Sequence, residues 1–243
     1  TSPVTETVRR DISVTETTQA SSAAVETMQP VVSTTEVTLQ EGTTLVLGDL
    51  IGGNFAISPP TDANISPSVA WNATANEYLV VWERNNWGTS IDIYGQRVGV
   101  NGALLGSPFA ISSAANSQRV PCAVWNATNS EYLVVWQDAR SGYYSDDIYG
   151  QRISHTGALL GANFAISTAT DAQWTPSVAW NSVANEYIVI WGDSRTGQMD
   201  LYGQRVRSNG ALQGGNFAIS TATNNQYAPD VVWNATSNEY LTT

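Results

Sequence analysis

One phrase recurs along this chain, and it restricts the fold more than anything else in the sequence. Its Trp-Asn pairs begin at Trp71, Trp125, Trp180 and Trp233, spaced 54, 55 and 53 residues apart. Each pair is followed by "EYLVVW" or a close variant, starting at Glu77, Glu131, Glu186 and Glu239. The first three copies continue through "DIYGQRV", "GALLG" and "FAIS" or near variants, and the fourth stops at "NEYLTT". Self-similarity at such a period means one supersecondary unit stacked on copies of itself. Each unit reads as four short strands: A (Pro67 to Asn72), B (Glu77 to Glu83), C (Ile91 to Val98) and D (Phe109 to Ser112). β-Branched and aromatic residues fill them, and polar turns such as "NATAN" and the Asn-Gly of "NGALLG" link them. Helix-period patterns with caps are absent. Strands of this kind at a period near 50 describe a β-propeller blade.

The interrupted fourth copy finds its complement at the other end. "NFAIS" occurs at Asn54, and Thr38 to Ser58 matches Asp92 to Ser112 in length. The expected architecture is an all-β, four-bladed propeller, closed by a blade whose strands A and B come from the C-terminal segment and C and D from the N-terminal one. Neither half can satisfy its ladder hydrogen bonds alone. The domains are then an extension, 1–35, and a propeller, 36–243.

The units "EYLVVW…DIYGQRV…G…LG…F.IS" resemble those of secreted repeat proteins found mostly as tandem arrays on bacterial extracellular proteins. That resemblance covers Thr38 to Thr243. It implies a propeller and an extracellular or cell-surface location, and it implies little about activity, because propellers host many unrelated ones.

Residues 1–35 belong to no repeat. They contain no glycine and no aromatic residue and are rich in Thr, Val, Ser and Glu. Val4, Val8, Ile12 and Val14 share one parity and would line one face of an extended strand. Docking of that strand into a neighbouring subunit is the favoured expectation, over a stalk or a strand folded back on its own ring. Four buried aliphatic side chains return roughly 6–12 kcal/mol, against roughly 12–24 kcal/mol for ordering a dozen residues. Such docking therefore needs a covered groove. A contact of this type does not close on itself and builds a filament. The chain opens on Thr1, which fits a processed product whose export signal is gone.

Composition narrows the partners. The net charge is −11 and all ten basic residues are arginine, which argues against nucleic acid and anionic membranes. No apolar run approaches the roughly 20 residues of a membrane-spanning helix. A single cysteine and a single histidine are too few for a zinc site or a Cys–His pair. His155 aligns with Val100 and Ser208 in the C–D turn, and Cys122 with Ser68, Ser177 and Asp230 in strand A.

Other polar residues recur once per unit: Asp92, Asp147 and Asp200; Gln96, Gln151 and Gln204; Arg97, Arg152 and Arg205. Recurrence reads as structural bonding between blades, and no carboxylate pair is singled out for catalysis. No cofactor is expected. The D–A loop column Ile65, Arg119, Trp174 and Tyr227 varies where its neighbours do not, and its aromatics are suited to stacking on sugar rings. Trp87, Tyr143 and Tyr144 in the B–C loops are a second set. Asn72, Asn126 and Asn234 lie in "NAT" sequons, although Asn181 occupies the same place without one, which points to a turn role.

The resulting expectation is a non-enzymatic, self-polymerising extracellular structural protein, with a carbohydrate-binding, lectin-like propeller on a stalk as the alternative.

Overall fold

Alternation of β-branched and aromatic side chains, broken by Asn- and Gly-bearing turns, produces the strands. The computed structural model describes residues 55–59, 63–85, 90–142 and 145–243, together with the backbone of β1 (Glu36–Thr38) and β2 (Thr44–Val46). The chain divides into two units, Thr1–Gly53 and Asn54–Thr243. In the first, β1 and β2 form an antiparallel pair with Val37 opposite Leu45.

The second unit is a row of antiparallel sheets, each a meander. Blade I contains β3 (Ala63–Asn72), β4 (Glu77–Asn85), β5 (Ile91–Gly99) and β6 (Leu104–Ser112). Blade II contains β7 (Gln118–Asn126), β8 (Glu131–Asp138), β9 (Asp147–Ser154) and β10 (Leu159–Ser167). Blade III contains β11 (Gln173–Asn181), β12 (Glu186–Asp193), β13 (Asp200–Arg207) and β14 (Leu212–Ser220). β15 (Val231–Asn234) and β16 (Glu239–Thr242) pair as a two-stranded sheet that repeats strands A and B.

Strands A and D run longer than the sequence reading, for a physical reason in each case. Pro67, Pro121 and Pro176 carry no N–H and break the ladder without ending the strand. One extra residue is inserted there, between Ile65 and Ser68, Arg119 and Cys122, and Trp174 and Ser177. In strand D a second bulge at "LLG" separates Leu105 from Phe109 in their pairing with strand C.

Neighbouring blades pack face to face. Leu79, Val81, Ile93 and Ile111 of blade I meet Trp125, Tyr132, Val134 and Trp136 of blade II. Leu133, Val135, Ile148 and Ile166 meet Trp180, Tyr187, Val189 and Trp191. Ala179, Ile188 and Ile190 meet Val231, Trp233 and Tyr240. The strands A of successive blades lie beside one another along the inner edge. There the Ser68 hydroxyl accepts from Ala123 N at 3.2 Å, and that of Ser177 donates to Asp230 at 2.9 Å.

Polar links repeat with the same period. Arg97 forms two bonds to the Glu77 carboxylate and reaches across to Thr156 O, as Arg152 does for Glu131 and Asn209 O. Tyr132 donates to Glu77 and Tyr187 to Glu131, each from the following blade. Burial pushes both phenols well above their usual range. Gln151 and Gln204 tie strand C to the strand D bulge and accept from Asn163 and Asn216 at 2.7 and 2.8 Å. Blade I has Pro108 where they have asparagine, and Gln96 Oε1 is left without a partner among the described residues.

Candidate functional site

The meander sorts its connections onto two ends of each blade. The A–B and C–D turns share one end, and the D–A and B–C loops the other. The turn end is occupied with holding itself together. Asn72 Oδ1 accepts from Thr74 N and Ala75 N, and Asn126, Asn181 and Asn234 accept likewise in their own turns. The amides of Asn72 and Asn126 are fully buried, whereas Asn234 is exposed. In the folded blades the Asn72 and Asn126 side chains are the turns' own caps. His155 is an exposed residue of its hairpin. Cys122 faces the inner edge, where burial raises its thiol pKa.

The loop end is built differently. The residues after Ile65, Arg119, Trp174 and Tyr227 all take a left-handed backbone: Ser66 (φ 50), Val120 (φ 49), Thr175 (φ 50) and Ala228 (φ 48). Each precedes a proline, and Val120 is β-branched, a combination that costs roughly 1–3 kcal/mol wherever it persists. Bulges of this kind re-aim the side chain before them. The surrounding frame is constant and the residue it presents is not.

Two carboxylates depart from the repeat at this end. Glu83 stands where the other blades have Gln137 and Gly192, and Asp146 where they have Ile91 and Met199. Glu83 is buried and accepts the strained Val120 N–H at 2.8 Å, so a blade I side chain fixes the blade II bulge. Asp146 Oδ2 accepts from Gln137 Nε2 and from Trp174 Nε1, both at 3.1 Å. Both donors land on one oxygen, which leaves Oδ1 for a third. Arg119 lies opposite Gln137 in the β7–β8 ladder. Arg119 and Trp174, three links apart through Gln137 and Asp146, thus belong to one strip across blades II and III. Tyr227 accepts from Asn225 Nδ2 at 2.7 Å, and Asn225 in turn accepts from Met199 N. It continues the strip beyond blade III. Ile65 is exposed at the blade I end of the column. Trp87, Tyr143 and Tyr144 lie outside the described residues.

The recurring acids serve the loops. Ser141 donates to Asp147 at 2.6 Å and Thr196 to Asp200 at 2.5 Å. Burial raises the Asp147 carboxyl pKa above its ordinary value, partly offset by the Ser141 hydroxyl. The folded state then holds this proton more tightly than the unfolded chain, whose carboxyl titrates near 3.8. The stabilisation is complete below that value and is lost as pH rises through the folded one. Asp147→Asn should accordingly gain stability relative to the parent chain as pH rises above about 4. Thermal melts of the two proteins from pH 3 to 7 measure this, and a constant gap between them would contradict it.

Two structural bonds went unread in the sequence. Asp138 and Asp193 accept from Trp136 and Trp191 Nε1, and each is clasped by the arginine two residues later. Those guanidiniums, Arg140 and Arg195, lie 3.8 and 4.1 Å above the rings of Tyr149 and Tyr202. Blade I puts Arg84 at the aspartate position, and there Arg84 itself covers Tyr94 at 4.5 Å.

Several solved structures share this architecture. An N-acetylgalactosamine deacetylase from F. plautii, solved with blood group B trisaccharide, matches with a TM-score of 0.51 at 9% identity, over 72% of this chain and 60% of that one. An endo-arabinase from Bacteroides thetaiotaomicron matches at 0.50 and 10% identity, over 72% and 68%. A thermostable family-43 glycoside hydrolase matches at 0.51 and 10%, over 74% and 64%. The fold is a β-propeller. The chain spans less than two thirds of the length of the first and third of these proteins. No family model matches the chain, and no characterised protein sequence does.

Two expectations are corrected by this likeness. A filament subunit and a protein without enzymatic activity were expected, whereas the three similar structures are a deacetylase, an endo-arabinase and a glycoside hydrolase. The filament rested on Val4, Val8, Ile12 and Val14, which lie outside the described residues. The argument against an enzyme rested on finding no histidine or acidic cluster that breaks the repeat, yet the carboxylates Glu83 and Asp146 each break it.

Proposed function

We propose that this protein is a carbohydrate-active propeller that takes a glycan across its loop end and hydrolyses it there. The observation that carries the reading is that two carboxylates that break the repeat both bond to blade II at its loop end, Glu83 accepting from Val120 N and Asp146 from Gln137, with Trp174 of blade III donating to the same Asp146 oxygen. Glycosidic cleavage needs two carboxyl groups, one to protonate the leaving oxygen and one to act from the opposite face. Aromatic faces hold the sugar while they do so. The enzymes with a similar fold support the choice of substrate class.

Release of reducing ends from a panel of soluble polysaccharides, arabinan among them, tests the reading. Cleavage that disappears in Asp146→Asn and in Glu83→Gln is the expected result. Failure of the folded protein to cleave or retain any member would overturn it, and retention without cleavage would reduce it to a binding module.

The same proposal includes a ring of four blades, the last shared between the two ends of the chain. Phe55 supports it. It lies 3.1 Å from the space a Cβ would fill at Gly102, as the strand D residues Phe109 and Phe164 lie 3.4 and 3.5 Å from those at Gly157 and Gly210. Phe55 thus occupies the strand D position of a blade preceding blade I. Within the row of blades, Trp71 is 41% exposed, whereas Trp125 and Trp180 are each 9% exposed beneath the preceding blade. Closure would cover Trp71 equally. Hydroxyl-radical footprinting should then oxidise the three tryptophans at similar rates, and much faster oxidation of Trp71 would mean an open ring.

A further inference from the structure

Resting on the carbohydrate reading, we infer that the strip formed by Arg119, Asp146 and Trp174 is the specificity-determining subsite, and that it selects a neutral sugar residue over an acidic one. Three observations lead there. First, the Trp174 ring is fixed. Its Nε1 is bonded to Asp146 Oδ2, and its own main chain leads into the bulge between Trp174 and Ser177, where Thr175 is left-handed. A half-buried indole held at one edge offers a face to a ligand without the entropy cost of ordering it.

Second, Asp146 keeps Oδ1 for a donor, and a sugar hydroxyl is a donor. Gln137 holds the carboxylate from the blade II side and Trp174 from the blade III side, so its direction does not depend on the ligand. Third, Arg119 is exposed, and among the described residues it forms no recorded ion pair, unlike Arg97, Arg140, Arg152, Arg195 and Arg205. An exposed guanidinium on the residue opposite Gln137, together with the carboxylate that Gln137 holds, supplies one donor group and one acceptor for the hydroxyls of a sugar residue.

Charge decides the class of sugar. Asp146 on the strip and the buried Glu83 that holds the Val120 bulge give two carboxylates to the one guanidinium of Arg119, and the whole chain carries −11. A polyuronate would bring its carboxylates toward two fixed negative groups for one positive one, and like charges at close range oppose binding. A neutral glycan meets no such opposition, and its hydroxyls supply the donors that Asp146 lacks.

Native gel retardation in gels cast with a neutral xylan, a neutral β-glucan or polygalacturonate tests this with the full chain. The wild type should be retarded by a neutral polymer and not by polygalacturonate. Trp174→Ala should weaken retardation more than tenfold, and Asp146→Asn by about tenfold. Trp174→Phe keeps a ring face and should fall between the wild type and Trp174→Ala. Arg207→Ala removes the same charge as Arg119→Ala, but at the turn end of β13. It should leave retardation unchanged where Arg119→Ala weakens it. Circular dichroism identifies any variant that fails to fold, and Trp174→Phe then carries the comparison.

Stronger retardation by polygalacturonate, or neutral-glycan retardation unaffected by the Trp174 and Asp146 variants, overturns the subsite. The carbohydrate reading survives either of those results. It fails only where no polysaccharide is retained or cleaved.

Discussion

Replacing Trp191 by alanine is expected to cost about 4–5 kcal/mol, the largest effect of any single substitution in the blades. Trp191 is fully buried between blades II and III, packed with Leu133, Val135 and Ile148 on one side and its own sheet on the other. Truncation opens a cavity that strands on both sides cannot close, because each is held by a ladder in register. It also removes the Nε1 donor that Asp193, itself fully buried, accepts at 2.8 Å. Domains of this size are stable by only about 5–15 kcal/mol, so the variant sits at the limit of folding. Trp191→Phe separates the two losses. It retains most of the volume and should cost about 2–3 kcal/mol, chiefly for the missing donor to a charged group. Urea denaturation of both variants measures this. Equal and small losses would show that the interface is loosely packed.

The second large effect is expected at Glu131. Its carboxylate is 2% exposed, lies 2.6 Å from Arg152 and accepts from Tyr187 of the next blade. Glu131→Gln leaves a guanidinium and a phenol facing an amide and should cost about 3 kcal/mol. Glu186→Gln removes the same pair from blade III, where Arg205 is 46% exposed against 23% for Arg152. Water already solvates much of that guanidinium, so the loss there should be nearer 1 kcal/mol. The ordering is the point of the comparison. A Glu186 variant as damaged as the Glu131 variant would mean that the pair, and not its burial between blades, sets the energy.

Much of this molecule is legible in its sequence because it is written several times. One copy of "EYLVVW" is a strand and nothing more, whereas three copies fix a period, a register and the interblade role of Arg97 and Arg152. What the repeat obscured is equally specific. Pro67, Pro121 and Pro176 read as strand starts, yet they are bulges within strands, since a residue without an N–H interrupts a ladder as readily as it begins one. Glycines 106 and 161 hid the beginning of strand D in the same way.

Glu83 and Asp146 were passed over for a different reason. Acids present in every blade close loops, as Asp147 and Asp200 do, whereas these two are each present in one blade. The signal was available in the columns Glu83, Gln137, Gly192 and Ile91, Asp146, Met199. The bond of Glu83 to blade II was not, because it depends on a bulge whose backbone points the Val120 N–H at a side chain from another blade. The tail before residue 36 illustrates the opposite hazard. Its in-phase Val4, Val8, Ile12 and Val14 suggested a strand and, through it, an assembly, while the residues that distinguish one blade from another stood in the repeats.

Hydrogen–deuterium exchange with and without a neutral polysaccharide tests the proposed carbohydrate site most directly. Protection confined to the segments around Arg119, Asp146, Trp174 and Tyr227, with the asparagine-capped turns unchanged, is the result expected of a glycan lying across the loop end. Protection at the turns around Asn126 and Asn181, or none at the loops while the polymer is bound, would place recognition elsewhere and contradict the assignment.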